Sequence, residues 1–209
     1  MAGGIRRNSG EAEIEGIRTI LLSMRDEDLR VRAELAASGT LWDTYHPRME
    51  EVHVRNATHL ADIFDRCGWP DAGRFGEDGQ DAAWLILMHS ISVPGLMRRG
   101  RALLAEAAQG AAAPPALLAR LEDRIRTLEG LPQLYGTILD WDDEGRLSPL
   151  TVEAPEAVDE RRASVGMTPL AEHVDRCRRE ATTAGSRPPA DPRAKAMDYQ
   201  NWLRRTGWR

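Results

Sequence analysis

The sequence predicts a mainly α protein: a compact, bundle-like domain of about seven helices with one short β-hairpin near residues 134–152. Three observations predict it. Apolar residues recur at intervals of three and four through most of the chain, the spacing of one helix face. Glycines and prolines punctuate these stretches where helices would stop and start. Strand-like patterning is confined to residues 133–152. On this reading residues 1–10 form a flexible leader, 11–183 a single helical domain, and 184–209 a polar, Pro- and Arg-rich tail.

The first helix is expected over 11–37, where Ile14, Ile17, Ile20, Leu21 and Met24 keep helical spacing; the charged run 24–32 is a candidate break. A second follows Pro47 over 48–67 and stops at Gly68. Residues 71–79, with three glycines, read as an exposed loop. The third helix, 79–91, is apolar nearly all round, the pattern of a central buried helix. Pro94 opens a fourth that ends near Gly110, and Pro114-Pro115 suits the first turn of a fifth that stops at Gly130. The hairpin turns at Asp142–Gly145, with Pro149 restricting its strand to an edge. Helical spacing returns over 155–165 and 168–183, and a short helix closes the tail over 194–205.

Composition bounds the function. At 42% hydrophobic and 29% charged, the chain is globular rather than disordered. A net charge of −5 carries no nucleic-acid footprint. The longest apolar run, residues 82–88, is too short to span a bilayer, and no signal peptide follows the N-terminal arginines. Cys67 and Cys177 suggest no disulfide framework, so a cytoplasmic setting with reduced thiols is expected. Of 28 basic residues one, Lys195, is a lysine; it lies in the polar tail, which argues against Schiff-base chemistry. There is no GxGxxG, P-loop or GxSxG, so no organic cofactor is expected.

His89 leads the candidates. Near the end of the most apolar helix, burial would lower its pKa and keep a neutral imidazole suited to acid–base work; a core histidine bonded to backbone is the structural alternative. Asp123 and Arg124 are helix neighbours about 100° apart, so they cannot grip one small group together, and Asp123 would need a partner such as Arg161 or Arg162 if buried. Tyr135 and Thr137, flanking Gly136, would share a face by strand alternation and offer two hydroxyls. Arg161 and Arg162 suit carboxylate or phosphate. Asn56, Trp69, Trp84 and Met88 complete the substrate-binding candidates. His53 and Asn56 share a helix face and His59 drifts off it; a metal site there would need ligands from another helix, such as His89 or His173, so the leading expectation has no metal and a metal enzyme using His53, His59, His89 or His173 is the third reading.

Several segments taken together are specific: Gly68-Trp69-Pro70, Ala83-Trp84-Leu85 with His89, Asp123-Arg124, Gln133 through Thr137, and Val158-Asp159 through Arg161-Arg162, Val165-Gly166 and Pro169-Leu170. Over about residues 20–178 the chain resembles a family of uncharacterised bacterial proteins, a domain of unknown function common in high-GC genomes, with the pattern G-W-P, A-W-L-L-x-Q-H-A-D, D-R, Q-L-Y-G-T-Q and V-D-x-R-R-x-x-V-G-L-x-P-L. The resemblance implies no activity, but it implies that polar residues recur at His89, Asp123, Arg124, Tyr135, Thr137, Arg161 and Arg162, as a shared pocket or a buried polar network would require. Met88, Ile91 and Ile138 depart from the pattern, replacing polar groups with apolar ones and implying a greasier site.

The leading expectation is an enzyme without organic cofactor. It would perform acid–base chemistry (lyase, isomerase, cyclase or hydrolase) on a partly apolar metabolite bearing a carboxylate or phosphate, in specialised metabolism. His89, Tyr135 and Asp123 would be catalytic and the arginines would anchor the substrate. The alternative is a non-catalytic ligand-binding or protein-interaction module, with a homodimer through the +4 tail as the partner expectation.

Overall fold

The computed structural model describes residues 3–41 and 45–209, with side chains from Gly10 onward. The protein is mainly α, as predicted, with eight α-helices and one two-stranded antiparallel sheet among the described residues. No described helix is long and apolar enough to cross a membrane. Contacts group the chain into two compact units, residues 1–34 with 47–113 and residues 35–46 with 114–209. Residues 184–209 lie among those of the second unit.

Helix α1 (Gly3–Ala37), in the first unit up to Glu34, runs unbroken from Gly3 through the charged run. Its buried positions are Ile17, Leu21, Met24, Asp28, Val31 and Leu35, alternating steps of four and three that keep one stripe on one face. The charges of the run 24–32 fall mostly beside the stripe, so they do not interrupt it. Helix α2 (Pro47–Cys67) lies antiparallel to α1, as the ion pairs Glu13–Arg66, Glu27–Arg55 and Glu34–Arg48 show. Its buried face is Met49, Val52, His53, Asn56, Ala57, Leu60, Ile63 and Phe64.

Helix α3 (Ala72–His89) begins earlier than expected. The stretch read as a loop is its first turns, kinked at Gly76. Two local causes outweigh the three glycines: the Asp71 carboxylate caps the helix by accepting from the Arg74 amide, and Phe75 is fully buried. Helix α4 (Pro94–Gln109) packs on α3 through Gly100. A methyl group there would lie 2.5 Å from Leu87 Cδ2, so the missing side chain is what lets Leu87 seat.

In the second unit, α5 (Pro115–Glu129) stops at Gly130 as expected. Strands β1 (Leu139–Trp141) and β2 (Leu147–Pro149) form the hairpin, with Pro149 opposite Leu139 at its open end. Then come a 3-10 turn (Pro155–Ala157), α6 (Val158–Ser164) and α7 (Leu170–Thr183). Helix α8 (Pro192–Thr206) extends the short helix expected in the tail. It buries Trp202 and Leu203, and Trp208 just beyond it; Tyr45 meets Trp202 edge-on at 5.7 Å between ring centres. Lys195 at its start bonds the Asp140 carboxylate at 3.0 Å, and Arg209 donates to the carbonyls of Thr127 and Leu128.

Candidate functional site

Three titratable side chains converge in the first unit, one from each of α1, α2 and α3. Asp28 occupies a core position of the α1 stripe and His53 one on α2, and both are buried. His89 is the last residue of α3. Its side chain is 24% exposed, not buried as expected, because the helix ends there and the chain turns away. Asp28 Oδ2 accepts from His89 Nδ1 at 2.9 Å and lies 3.3 Å from His53 Nε2. The imidazole rings are 4.8 Å apart, tilted by 34°. Burial opposes ionisation of Asp28, but hydrogen bonds from His53 and His89 outweigh it and hold the carboxyl well below the usual carboxylate range.

The second carboxylate oxygen, Asp28 Oδ1, is buried and has no hydrogen-bond partner among the described residues. Asn56, one turn beyond His53 on the same face, donates from Nδ2 to the Met24 carbonyl at 3.3 Å, and its Oδ1 is likewise buried without a partner among them. Next to the cluster, Ser92 donates to Glu50 Oε1 at 2.8 Å, three residues past His89 and three before His53.

The predicted residues separate by unit. His89, Asn56, Trp69, Trp84 and Met88 belong to the first, and Asp123, Arg124, Tyr135, Thr137, Arg161 and Arg162 to the second. Met88 and Trp69 are core residues, and Trp69 packs against Phe64 at 6.1 Å.

The second-unit set is organised by Asp123, which is fully buried. It pairs with backbone rather than with the arginines. Oδ1 accepts from the amides of Leu134 and Tyr135, and Oδ2 from the amide and the hydroxyl of Thr137. Both oxygens are engaged twice, which suits a latch better than a proton carrier. Tyr135 and Thr137 do not alternate along a strand, because Gly136 between them has φ +66° and the segment is a loop gathered onto the carboxylate. A side chain at Gly136 would also strike Leu170 Cδ1 at 2.8 Å. Gln133 fastens the other side, donating to the carbonyls of Ile138 and Leu150 and accepting from the Ile138 amide.

The arginine forks meet carbonyls. Arg161 donates to Leu134, Glu153 and Ala154, and Arg162, almost fully buried, to Tyr135 and Thr168. These donors serve the fold where the sequence suggested a substrate anion. Arg124 is half-buried, with Tyr199 within electrostatic reach. The Tyr135 phenol is pushed up by burial and by the charges of Asp123 and Glu122.

Asp28 and the role of His53 beside it were missed by the sequence reading. The signal was present: Asp28 is the one charge at a stripe position of α1. Of the other histidines, His59 is exposed on α2, and His173 belongs to the second unit, where Nδ1 faces Arg176 Nη2 at 2.9 Å.

The chain belongs to DUF6624, a family of unknown function, whose model matches residues 16–183. Comparisons with curated proteins and with solved structures found no match.

Proposed function

We propose that this member of a family of unknown function is a small-molecule enzyme that uses the Asp28–His53–His89 cluster as its acid–base centre. The observation that carries the reading is the 2.9 Å bond between a buried Asp28 and the partly exposed His89. An ionised carboxylate can only accept, so His89 Nδ1 carries the hydrogen, and in this reading Nε2 is the nitrogen that exchanges a proton. This carboxylate–imidazole arrangement orients a general base and stabilises the imidazolium formed when it takes a proton. His53 supports the same carboxylate from the other side.

The reading covers lyase, isomerase, cyclase or hydrolase chemistry without an organic cofactor, on a partly apolar metabolite. Trp84, half-buried on the helix that carries His89, favours an apolar wall. A bacterial, cytoplasmic setting in specialised metabolism and a homodimer belong to the same reading. Arg161 and Arg162 are not part of it, since backbone carbonyls hold their donors.

The test is a metabolite screen by thermal shift on wild type and His89→Gln, each with and without a chelator. A supporting ligand binds wild type and loses at least about tenfold in affinity, some 1.4 kcal/mol, in the variant. Equal binding by a folded variant, or no ligand under either condition, sinks the reading.

A further inference from the structure

We propose that Asp28, His53 and His89 together bind one divalent first-row transition-metal ion, with Zn2+ the best match to the donors. This rests on the reading above that the cluster is the working site, and it names what would occupy it: the ion would take the place of the hydrogen on His89 Nδ1, which moves to Nε2.

The donors are two imidazole nitrogens and a carboxylate oxygen, borderline ligands suited to Zn2+ and its neighbours rather than to Mg2+ or Ca2+. They come from three helices, yet all three ligand atoms lie within 4.8 Å of one another. Metal–ligand bonds of about 2.0–2.2 Å place adjacent ligand atoms about 2.9–3.5 Å apart, from octahedral to tetrahedral geometry. The separations from Asp28 Oδ2, 2.9 Å to His89 Nδ1 and 3.3 Å to His53 Nε2, already have that size.

A second observation points the same way. Asp28 Oδ1 and, one turn along, Asn56 Oδ1 are buried acceptors with no donor among the described residues. An unmatched buried acceptor is costly, and the one on the carboxylate that faces both imidazoles marks a place short of positive charge. A cation supplies it. Three protein ligands leave a tetrahedral ion one open position, the arrangement of catalytic rather than structural zinc. The partial exposure of His89 opens the cluster on its side. A water held there would have a lowered pKa, and the proton handled by the site would be the water's.

The test uses the full chain, stripped with a chelator and titrated with Zn2+ and Co2+. The expected result is one ion per chain, a raised melting temperature, and visible Co2+ absorption of a site with fewer than six ligands. Asp28→Asn, His53→Gln and His89→Gln should each weaken binding by at least about 100-fold, while His59→Gln, an exposed histidine of α2, should not. Because the cluster variants could unfold, wild type also decides the matter alone. Its Co2+ form should show two hyperfine-shifted imidazole N–H signals in the proton NMR spectrum. Absence of stoichiometric binding, fewer than two shifted imidazoles, or full affinity in the folded cluster variants overturns the proposal. Such a failure leaves the acid–base reading intact, because a ligand that binds in chelator needs no ion. A ligand seen only without chelator supports the ion and moves the proton chemistry from His89 to the bound water.

Discussion

Asp28 carries a charge where its helix otherwise buries hydrocarbon. Its folded pKa is depressed by His53 and His89 despite burial. An acid depressed in the folded state stabilises it above the unfolded pKa, near 4, and that contribution drains as pH falls below it. Urea unfolding of wild type and Asp28→Asn should therefore differ by on the order of 1–3 kcal/mol from neutral pH to about pH 4.5, with the gap narrowing toward pH 3. A gap that widens on acidification contradicts this account. The residue was legible only in part. Its place in a stripe with steps of four and three could be counted, but the surrounding charges disguised it as a helix break. That it meets His53 and His89 depends on how α1, α2 and α3 align, which no single stretch of sequence encodes. Asp123 teaches the converse: its burial could be suspected, but not that its partners would be amides eleven to fourteen residues further on.

Among the elements, those bounded by proline and glycine were the readable ones. Helices α2, α4 and α5 start and stop where the punctuation says, because a missing amide or a left-handed residue acts locally whatever the tertiary context. Helix α3 was not, since its first turns hold three glycines and are rescued by a cap and one buried ring. The α3–α4 crossing makes a separable prediction. Gly100→Ala should destabilise the first unit by about 1–3 kcal/mol, because Leu87 must leave its rotamer or α4 must shift. Denaturant midpoints would check it, and Gly100→Ala should cost less in a Leu87→Ala background than in wild type, a recovery of part of the loss read as non-additivity. No recovery would mean that the strain lies elsewhere.

At the scale of the whole molecule, the polar residues singled out in the sequence serve two different ends. Those of the second unit latch a loop and brace carbonyls, while His89 stands with Asp28 and His53 in the first. The order of motifs along a chain hides such a division. The tail is polar in composition, with two tryptophans and a leucine a small minority of its residues; yet those three are its buried ones. Removing residues 185–209 exposes what Trp202, Leu203 and Trp208 cover, a loss of roughly 4–9 kcal/mol. The truncated chain should melt more than about 10 °C lower and lose helix beyond α8 itself. An unchanged melting curve by circular dichroism would show that α8 does not dock.

The same helix confers a practical property. Lys195 holds the one side-chain amine among 209 residues, and it is bonded to Asp140 of the hairpin. Amine-selective reagents consequently have a single side-chain target, whose nucleophilicity is damped while that bond persists. The speed of its modification becomes a clock for the departure of α8 from the hairpin, readable by mass alone, without a label or a mutation.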